Sequence, residues 1–228
     1  MPRMRERNSD LERARHLYDW ESSMRRKYRY IAGVDEVGRG PMAGPVVAAA
    51  VILPAEPAIP GINDSKRLTP KKREEVFDLI LEHSLAYGIG VRSSKFVDEK
   101  GIVEATYSAM RMAVAALTLH GVTPELVLVD GYPIKGLSLR QEAVVHGDST
   151  SASVAGASIL AKVTRDRIMA EYEGLYPGYG FREHKGYCTS SHRSFLQALG
   201  PSPIHRRSFA PVSMEIDGAA DDLETDEA

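Results

Sequence analysis

Apolar and polar positions along the chain change period several times, and each change marks an expected element. Tyr30 to Glu36 reads as a first strand, and the run Pro45 to Leu53 as a second, apolar on both faces and therefore central in a sheet. Pro70 to His83 carries a helical period with Thr69 as its N-cap and Pro70 at its first position. Ser84 to Ser93 alternates like a third strand. Gly101 to His120 places Ile102, Ala105, Ala109, Met112, Ala113, Ala116 and Leu117 at helical spacing before Gly121 closes it. Glu125 to Asp130 is a buried strand and Gln141 to His146 a short one. A long helix is expected from Ser151 to Tyr172, a glycine- and aromatic-rich loop from Leu175 to Lys185, and a last helix from Ser190 to Leu199.

An opening run of strands followed by alternation predicts an α/β fold, a central mixed sheet flanked by helices with a helical C-terminal part. The expected organisation is an N-terminal basic helical extension (residues 1–28), one catalytic domain (29–212) and a disordered acidic tail (213–228). Leu11, Ala14, Leu17 and Tyr18 recur at helical spacing in the extension, whose charge suggests a solvated segment dispensable for chemistry.

Composition adds little until the charges are placed. Of 228 residues, 43% are hydrophobic and 26% charged, as in ordinary soluble globular chains. No apolar run approaches the roughly 18 to 20 residues of a membrane span and the N-terminus lacks a signal-peptide apolar core, so a cytoplasmic protein with no membrane partner is expected. The net charge of −2 conceals seven acids after Arg207 with no lysine or arginine among them; without those acids, 29 bases face 24 acids, which favours a polyanionic partner. The lone Cys188 excludes an intramolecular disulfide and any cysteine-rich metal site.

Four acids share one setting, where an apolar segment gives way to glycine or a turn: Asp35 and Glu36 before Gly38, Asp130 before Gly131, and Asp148 after Gly147. Sites in α/β sheets form beyond strand ends, so these acids are expected to converge there. Clustered carboxylates raise one another's pKa, and one or two divalent cations would relieve this; with no histidine beside them, Mg²⁺ or Mn²⁺ fits better than zinc. In a regular strand Asp35 and Glu36 face opposite ways, so if both serve one site the strand must end or bulge there. Each acid also has a structural reading, Asp148 as a helix cap, Asp130 as a turn residue and Asp64 as a loop acid.

Gly38-Arg39-Gly40 lets backbone N–H groups approach a sugar-phosphate, although its spacing is not that of a dinucleotide fingerprint. Lys66 with Arg67, Lys162 with Arg165, and His184-Lys185-Gly186-Tyr187 offer phosphate contacts and an aromatic platform. His205-Arg206-Arg207 reads as a basic surface patch or docking element.

Gly33-Val-Asp-Glu-Val-Gly-Arg-Gly-Pro41, Asp64-Ser-Lys66, Val129-Asp-Gly131, Gly147-Asp-Ser149, Ala157 to Asp166, His184-Lys-Gly-Tyr187 and His205-Arg-Arg-Ser-Phe209 together resemble the bacterial type 2 ribonuclease H family, in order and spacing over about residues 30 to 212. The resemblance implies a ribonuclease H-like fold. It also implies a monomeric endonuclease that cuts the RNA strand of RNA–DNA hybrids and at ribonucleotides embedded in duplex DNA, with Mn²⁺ or Mg²⁺ as cofactor, leaving 5′-phosphate and 3′-hydroxyl ends. By the same resemblance, Asp35, Glu36, Asp130 and Asp148 are the catalytic and metal-binding acids. Gly38, Arg39 and Gly40 form the backbone-reading loop, and Tyr187 stands at the ribonucleotide junction. Backbone amides and a tyrosine can sense a 2′-hydroxyl, which is what separating RNA from DNA requires. Cys188 stands where proline is common in the family, and Gly156 where alanine is. Two competing readings are a nuclease of DNA-only substrates on the same fold and a non-enzymatic nucleic-acid-binding module.

Overall fold

The computed structural model describes residues 2–216, with side chains from residue 10 onward. Its elements are α1 (Pro2–Arg25), β1 (Ile31–Val37), β2 (Val46–Ile52), α2 (Pro70–His83), β3 (Ala86–Arg92), α3 (Ser94–Ala116), β4 (Leu126–Asp130), β5 (Gln141–Val144), α4 (Ala152–Leu175), α5 (Phe181–His184) and α6 (Ser190–Leu199). Short 3₁₀ turns lie at Leu117–His120 and Gly147–Ser149. The tail expected from residue 213 lies outside the described residues beyond 216, while 212–216 form a helical turn.

The chain divides into two compact units. The first holds a five-stranded sheet in the order β3-β2-β1-β4-β5. β1 runs antiparallel to β2 and parallel to β4, and β4 runs parallel to β5. Three parallel strands therefore deliver their carboxyl ends to one edge. All seven residues of β2 are buried, as its unbroken apolar run requires.

Two close approaches shape this unit. A Cβ on Gly33 would lie 2.0 Å from the carbonyl carbon of Ser153, so glycine is what lets β1 touch the first turn of α4. Gly90 plays the same part between β3 and α3, where a Cβ would stand 1.9 Å from the Ala109 carbonyl oxygen. α2 starts as the sequence predicts, with the Thr69 hydroxyl accepting the Lys72 N–H. The helix expected from Gly101 instead belongs to an element beginning at Ser94, with Gly101 a non-helical joint at φ 79°. Among the described residues, Ser94–His120 is long and apolar enough, by length and composition only, to cross a membrane. Ala105, Ala109, Met110, Ala113, Val114 and Leu117 nevertheless lie buried, as in the core helix of a folded unit.

α1 is not the solvated extension that its charge suggests. Ala14, Leu17 and Tyr18 are buried, and the Glu21 carboxylate, also buried, accepts hydrogen bonds from the Ser151 hydroxyl (2.6 Å), the Ser153 N–H (2.7 Å) and the Ser153 hydroxyl (3.0 Å). A carboxylate there satisfies the first-turn donors of α4 and meets the positive end of its dipole. Arg25 donates to the other side of Glu21 and to the Leu53 carbonyl, so the buried charge is paired.

The second unit comprises residues 38–46, 92–105 and 164–228, of which those to 216 are described. Ala43, Met169, Tyr179, Phe181 and Ile204 form one apolar cluster, and Met42, Leu196 and Val212 another. The loop expected over 175–185 contains the single turn α5.

Candidate active site

The parallel strands place the acids. Asp35 and Glu36 end β1, Asp130 ends β4, and Asp148 sits in the 3₁₀ turn that follows β5. All four therefore emerge at the carboxyl edge of the sheet. β1 does not bulge at the paired acids and ends one residue beyond them, at Val37. β1 stays in register with β2 through Asp35↔Ala49, Glu36↔Ala48 and Val37↔Val47, whereas its ladder with β4 stops at Val34↔Val129. Losing one neighbour, and not a bulge, is what opens the backbone beside Asp35.

Asp35 is buried, and its Oδ1 accepts the Glu36 N–H at 2.7 Å. Burial holds its carboxyl well above the usual carboxylate range, the charges of Glu36 and Asp130 push it further, and hydrogen bonds from Ser158 and the Glu36 N–H pull against them. Ser158 in turn bonds the Ser65 hydroxyl at 2.9 Å. Asp130 is raised as well, by partial burial first and by the Asp148 charge, against the Gly147 N–H that donates to its Oδ1 at 2.7 Å. That bond depends on a tight turn, in which His146 takes a left-handed conformation at φ 53°. Asp148, also buried, accepts from the Lys66 ammonium at 3.0 Å. This bond leads the causes that raise the Lys66 pKa, and Asp64 and Asp35 add to it. Asp64 itself closes a loop turn by accepting the Lys66 N–H, in keeping with its reading as a loop acid.

Among the described residues, no three His, Cys, Asp or Glu side chains are grouped closely enough to hold a metal ion. The convergence expected of the acids thus holds for the strands that carry them, while Asp130 and Asp148 have each taken a local partner. The donor set still fits a hard divalent cation. It consists of carboxylate oxygens, and Asp35 and Asp130 are raised by burial first and by neighbouring like charges second, both of which a bound cation would offset.

In the second unit, Gly38 has φ 95°, and a Cβ there would strike the Arg165 Nε at 2.4 Å and the Pro45 carbonyl oxygen at 2.6 Å. Arg39 and Gly40 are exposed, and the space beside Gly40 is open. Beneath them lie two buried arginines that the sequence reading placed on the surface. Arg165, grouped there with phosphate contacts, is fully buried and donates to the carbonyls of Pro45 (2.9 Å), Ala43 (3.1 Å) and Lys185 (2.9 Å). Arg206, read as part of a basic patch, is also fully buried and donates to the carbonyls of Gly38, Arg39 and Gly44. Its neighbour His205 is buried with it, and of that triplet only Arg207 is exposed. A buried guanidinium without a carboxylate partner is tolerable when carbonyls take up its donors. No pattern in the sequence distinguishes these arginines from surface ones.

Tyr187 is 41% exposed, with the Arg165 guanidinium 5.8 Å from its ring centre. Gly186 precedes it at φ 82°, where a Cβ would meet the Ala43 carbonyl oxygen at 2.3 Å. Lys162 is half-buried on α4, and Cys188 is exposed.

The family described as Ribonuclease HII matches residues 32–212. The chain is 55% identical to the ribonuclease HII of Geobacter sulfurreducens over 197 residues, 86% of this chain and 89% of that one. Among solved structures, the ribonuclease H2 of Pyrococcus horikoshii OT3 superposes with a TM-score of 0.70 at 26% identity, covering 83% of this chain and 98% of that one. Bst-RNase HIII in complex with Mn²⁺ shares the fold at a TM-score of 0.61 and 20% identity, covering 83% of this chain and 70% of that one. With a family match that spans the sheet, the four acids, the glycine loop and Tyr187, this chain belongs to the ribonuclease HII family.

Proposed function

We propose that the protein is an endonuclease that hydrolyses the RNA strand of RNA–DNA hybrids and cuts at ribonucleotides embedded in duplex DNA. The observation that carries this reading is the delivery of four acids to one sheet edge, where burial and mutual charge hold Asp35 and Asp130 above the ordinary carboxylate range. Asp35, Glu36, Asp130 and Asp148 would hold Mn²⁺ or Mg²⁺, which when bound supplies Lewis-acid activation of water and neutralises charge at the scissile phosphate.

The chain's own groups supply the rest. The Gly147 N–H and the Lys66 ammonium hold the carboxylates of Asp130 and Asp148 in fixed orientations. Lys66 and Lys162 offer cationic contacts to backbone phosphates. Gly38, Arg39 and Gly40 read the sugar-phosphate through backbone amides, and Tyr187 packs on the sugar that carries the 2′-hydroxyl. The products are a 5′-phosphate and a 3′-hydroxyl, and the acting species is a cytoplasmic monomer.

The test is a cleavage-site map on a duplex with one embedded ribonucleotide and on a continuous hybrid, with Mn²⁺ and Mg²⁺ in parallel. Cutting confined to ribonucleotide-bearing strands is expected, and both substrates left intact with either metal would refute the reading. Light scattering should return the mass of one chain.

A further inference from the structure

The second unit contains two buried imidazoles that the proposed chemistry does not use. His192 is 0% exposed and His205 is 2% exposed, and their Nε2 atoms lie 3.0 Å apart. Each has a backbone partner on its other ring nitrogen, which fixes where the protons must be. The Ser202 N–H can only donate, and it points at the His205 Nδ1 at 3.0 Å, with the Ser202 hydroxyl at 2.8 Å from the same nitrogen. His205 therefore accepts at Nδ1 and carries its proton on Nε2. At the far end, the Tyr187 carbonyl can only accept, and it lies 2.9 Å from the His192 Nδ1. His192 therefore carries its proton on Nδ1 and accepts at Nε2. The two assignments, made from opposite ends, agree at the middle bond, where the His205 Nε2–H donates to the His192 Nε2.

We propose that His192 and His205 are positioning residues, a neutral two-imidazole relay that fixes the backbone of Tyr187 and so the ring that reads the ribonucleotide. A second proton would set two N–H groups against each other at the central contact, so the relay works only in its neutral form. Burial favours that form and pushes both histidines down to about 4. The groups facing them are His184, stacked on His192 at 4.0 Å, and the rings of Tyr179 and Phe181. His184 is neutral by the same logic, because its Nδ1 accepts the Gly186 N–H and its Nε2 donates to the Tyr179 carbonyl. The Tyr187 carbonyl also accepts the Thr189 N–H, so the turn closes without His192. What the relay adds is a link from that turn to the segment carrying Ser202 and His205.

The inference rests on the reading of Tyr187 given above, and its two tests separate the failures. In the unaltered chain labelled with ¹⁵N at histidine, long-range proton–nitrogen correlation at pH 7 should show His192 protonated at Nδ1 and His205 at Nε2. The opposite tautomer in either ring, or an imidazolium, would overturn the relay whatever Tyr187 does. In kinetics on an embedded-ribonucleotide duplex with Mn²⁺, His192→Phe keeps the ring shape but cuts the relay, and kcat/KM should fall about tenfold, the worth of one buried hydrogen bond. His192→Asn, whose amide N–H can replace the Nδ1–H but which places nothing at the Nε2 position to meet His205, should leave most of that loss in place, and full recovery in it would overturn the link. A folded His192→Phe with unchanged kcat/KM overturns the positioning role. If Tyr187→Ala is also unchanged, the failure belongs to the reading of Tyr187 instead.

Discussion

Replacing Arg206 with lysine should cost more than any surface charge change and should show first in the glycine loop. The guanidinium makes four hydrogen bonds to the carbonyls of Gly38, Arg39 and Gly44. Burial first, and the nearby Arg165 charge with it, lower its pKa from 12.5 to about 9 against the opposing charge of Asp98. At 1.36 kcal/mol per unit, keeping the charge inside costs about 5 kcal/mol. Four charge-assisted bonds at about 1.5 to 3 kcal/mol each return about 6 to 12, so the residue is net stabilising by a few kcal/mol. Lysine bears the same desolvation cost on a point charge that cannot fork across three carbonyls, which leaves at least one of them unpaired. Arg206→Lys should therefore destabilise the protein by about 3 kcal/mol, roughly 6 to 12 °C in Tm for a chain of this size. Urea unfolding gives the global figure, and hydrogen exchange read on residues 38–45 shows where the loss lies. A loss below about 1 kcal/mol with unchanged exchange in that loop would refute the reasoning.

Three further outcomes are expected. Gly33→Ala should cost at least about 3 kcal/mol in urea unfolding, because the new Cβ meets the backbone of α4 at 2.0 to 2.3 Å and nothing there is a flexible side chain that can yield. Stability should fall with acid between pH 6.5 and about 4: His192 and His205 titrate near 4 when folded, so the unfolded chain takes up their protons first as pH drops. These two groups contribute a slope approaching about 2.7 kcal/mol per pH unit, against which the raised carboxyls of Asp35 and Asp130 work, and His192→Phe should remove about half of the histidine contribution in metal-free unfolding series at pH 7, 6 and 5. Asp130→Asn should nearly abolish cleavage while unfolding shows equal or higher stability, since the amide oxygen can still accept the Gly147 N–H and the raised carboxyl is gone; full activity would remove Asp130 from the mechanism.

What was legible in the sequence was whatever depends on local pattern. The Thr69-Pro70 start of α2, the buried run of β2 and the aspartate at the end of β4 all follow from short-range rules, and the structure has them in place. The setting of the four acids was legible for the same reason, because strand followed by glycine is a local signature. The misread residues owe their role to partners far away in the chain. Glu21 looks like one more charge on a polar helix until Ser151 and Ser153 arrive from 130 residues away. Arg165 and Arg206 look like surface cations because their partners are carbonyls, which no side-chain pattern records. The alternation rule predicts an end or a bulge near the paired acids of β1, but it cannot show that the strand stays regular beside β2 while its other neighbour, β4, stops.

The buried arginines and the exposed glycine loop are two sides of one device. A trans peptide holds its C=O and the following N–H in opposite directions. The cis bonds among the described residues are Glu56-Pro57 and Ala210-Pro211, so the peptides joining Gly38, Arg39 and Gly40 are trans. Because Arg206 draws the carbonyls of Gly38 and Arg39 toward itself, the N–H groups of Arg39 and Gly40 must turn the other way. Gly40 has no Cβ, and open space lies where one would stand. Amides turned away from Arg206 suit the proposed reading of a sugar-phosphate backbone, which has no requirement for any particular base. The Gly38-Arg39-Gly40 triplet thus supplies the conformational freedom, but the direction in which its amides point is set by a cation 166 residues further along the chain than Gly40.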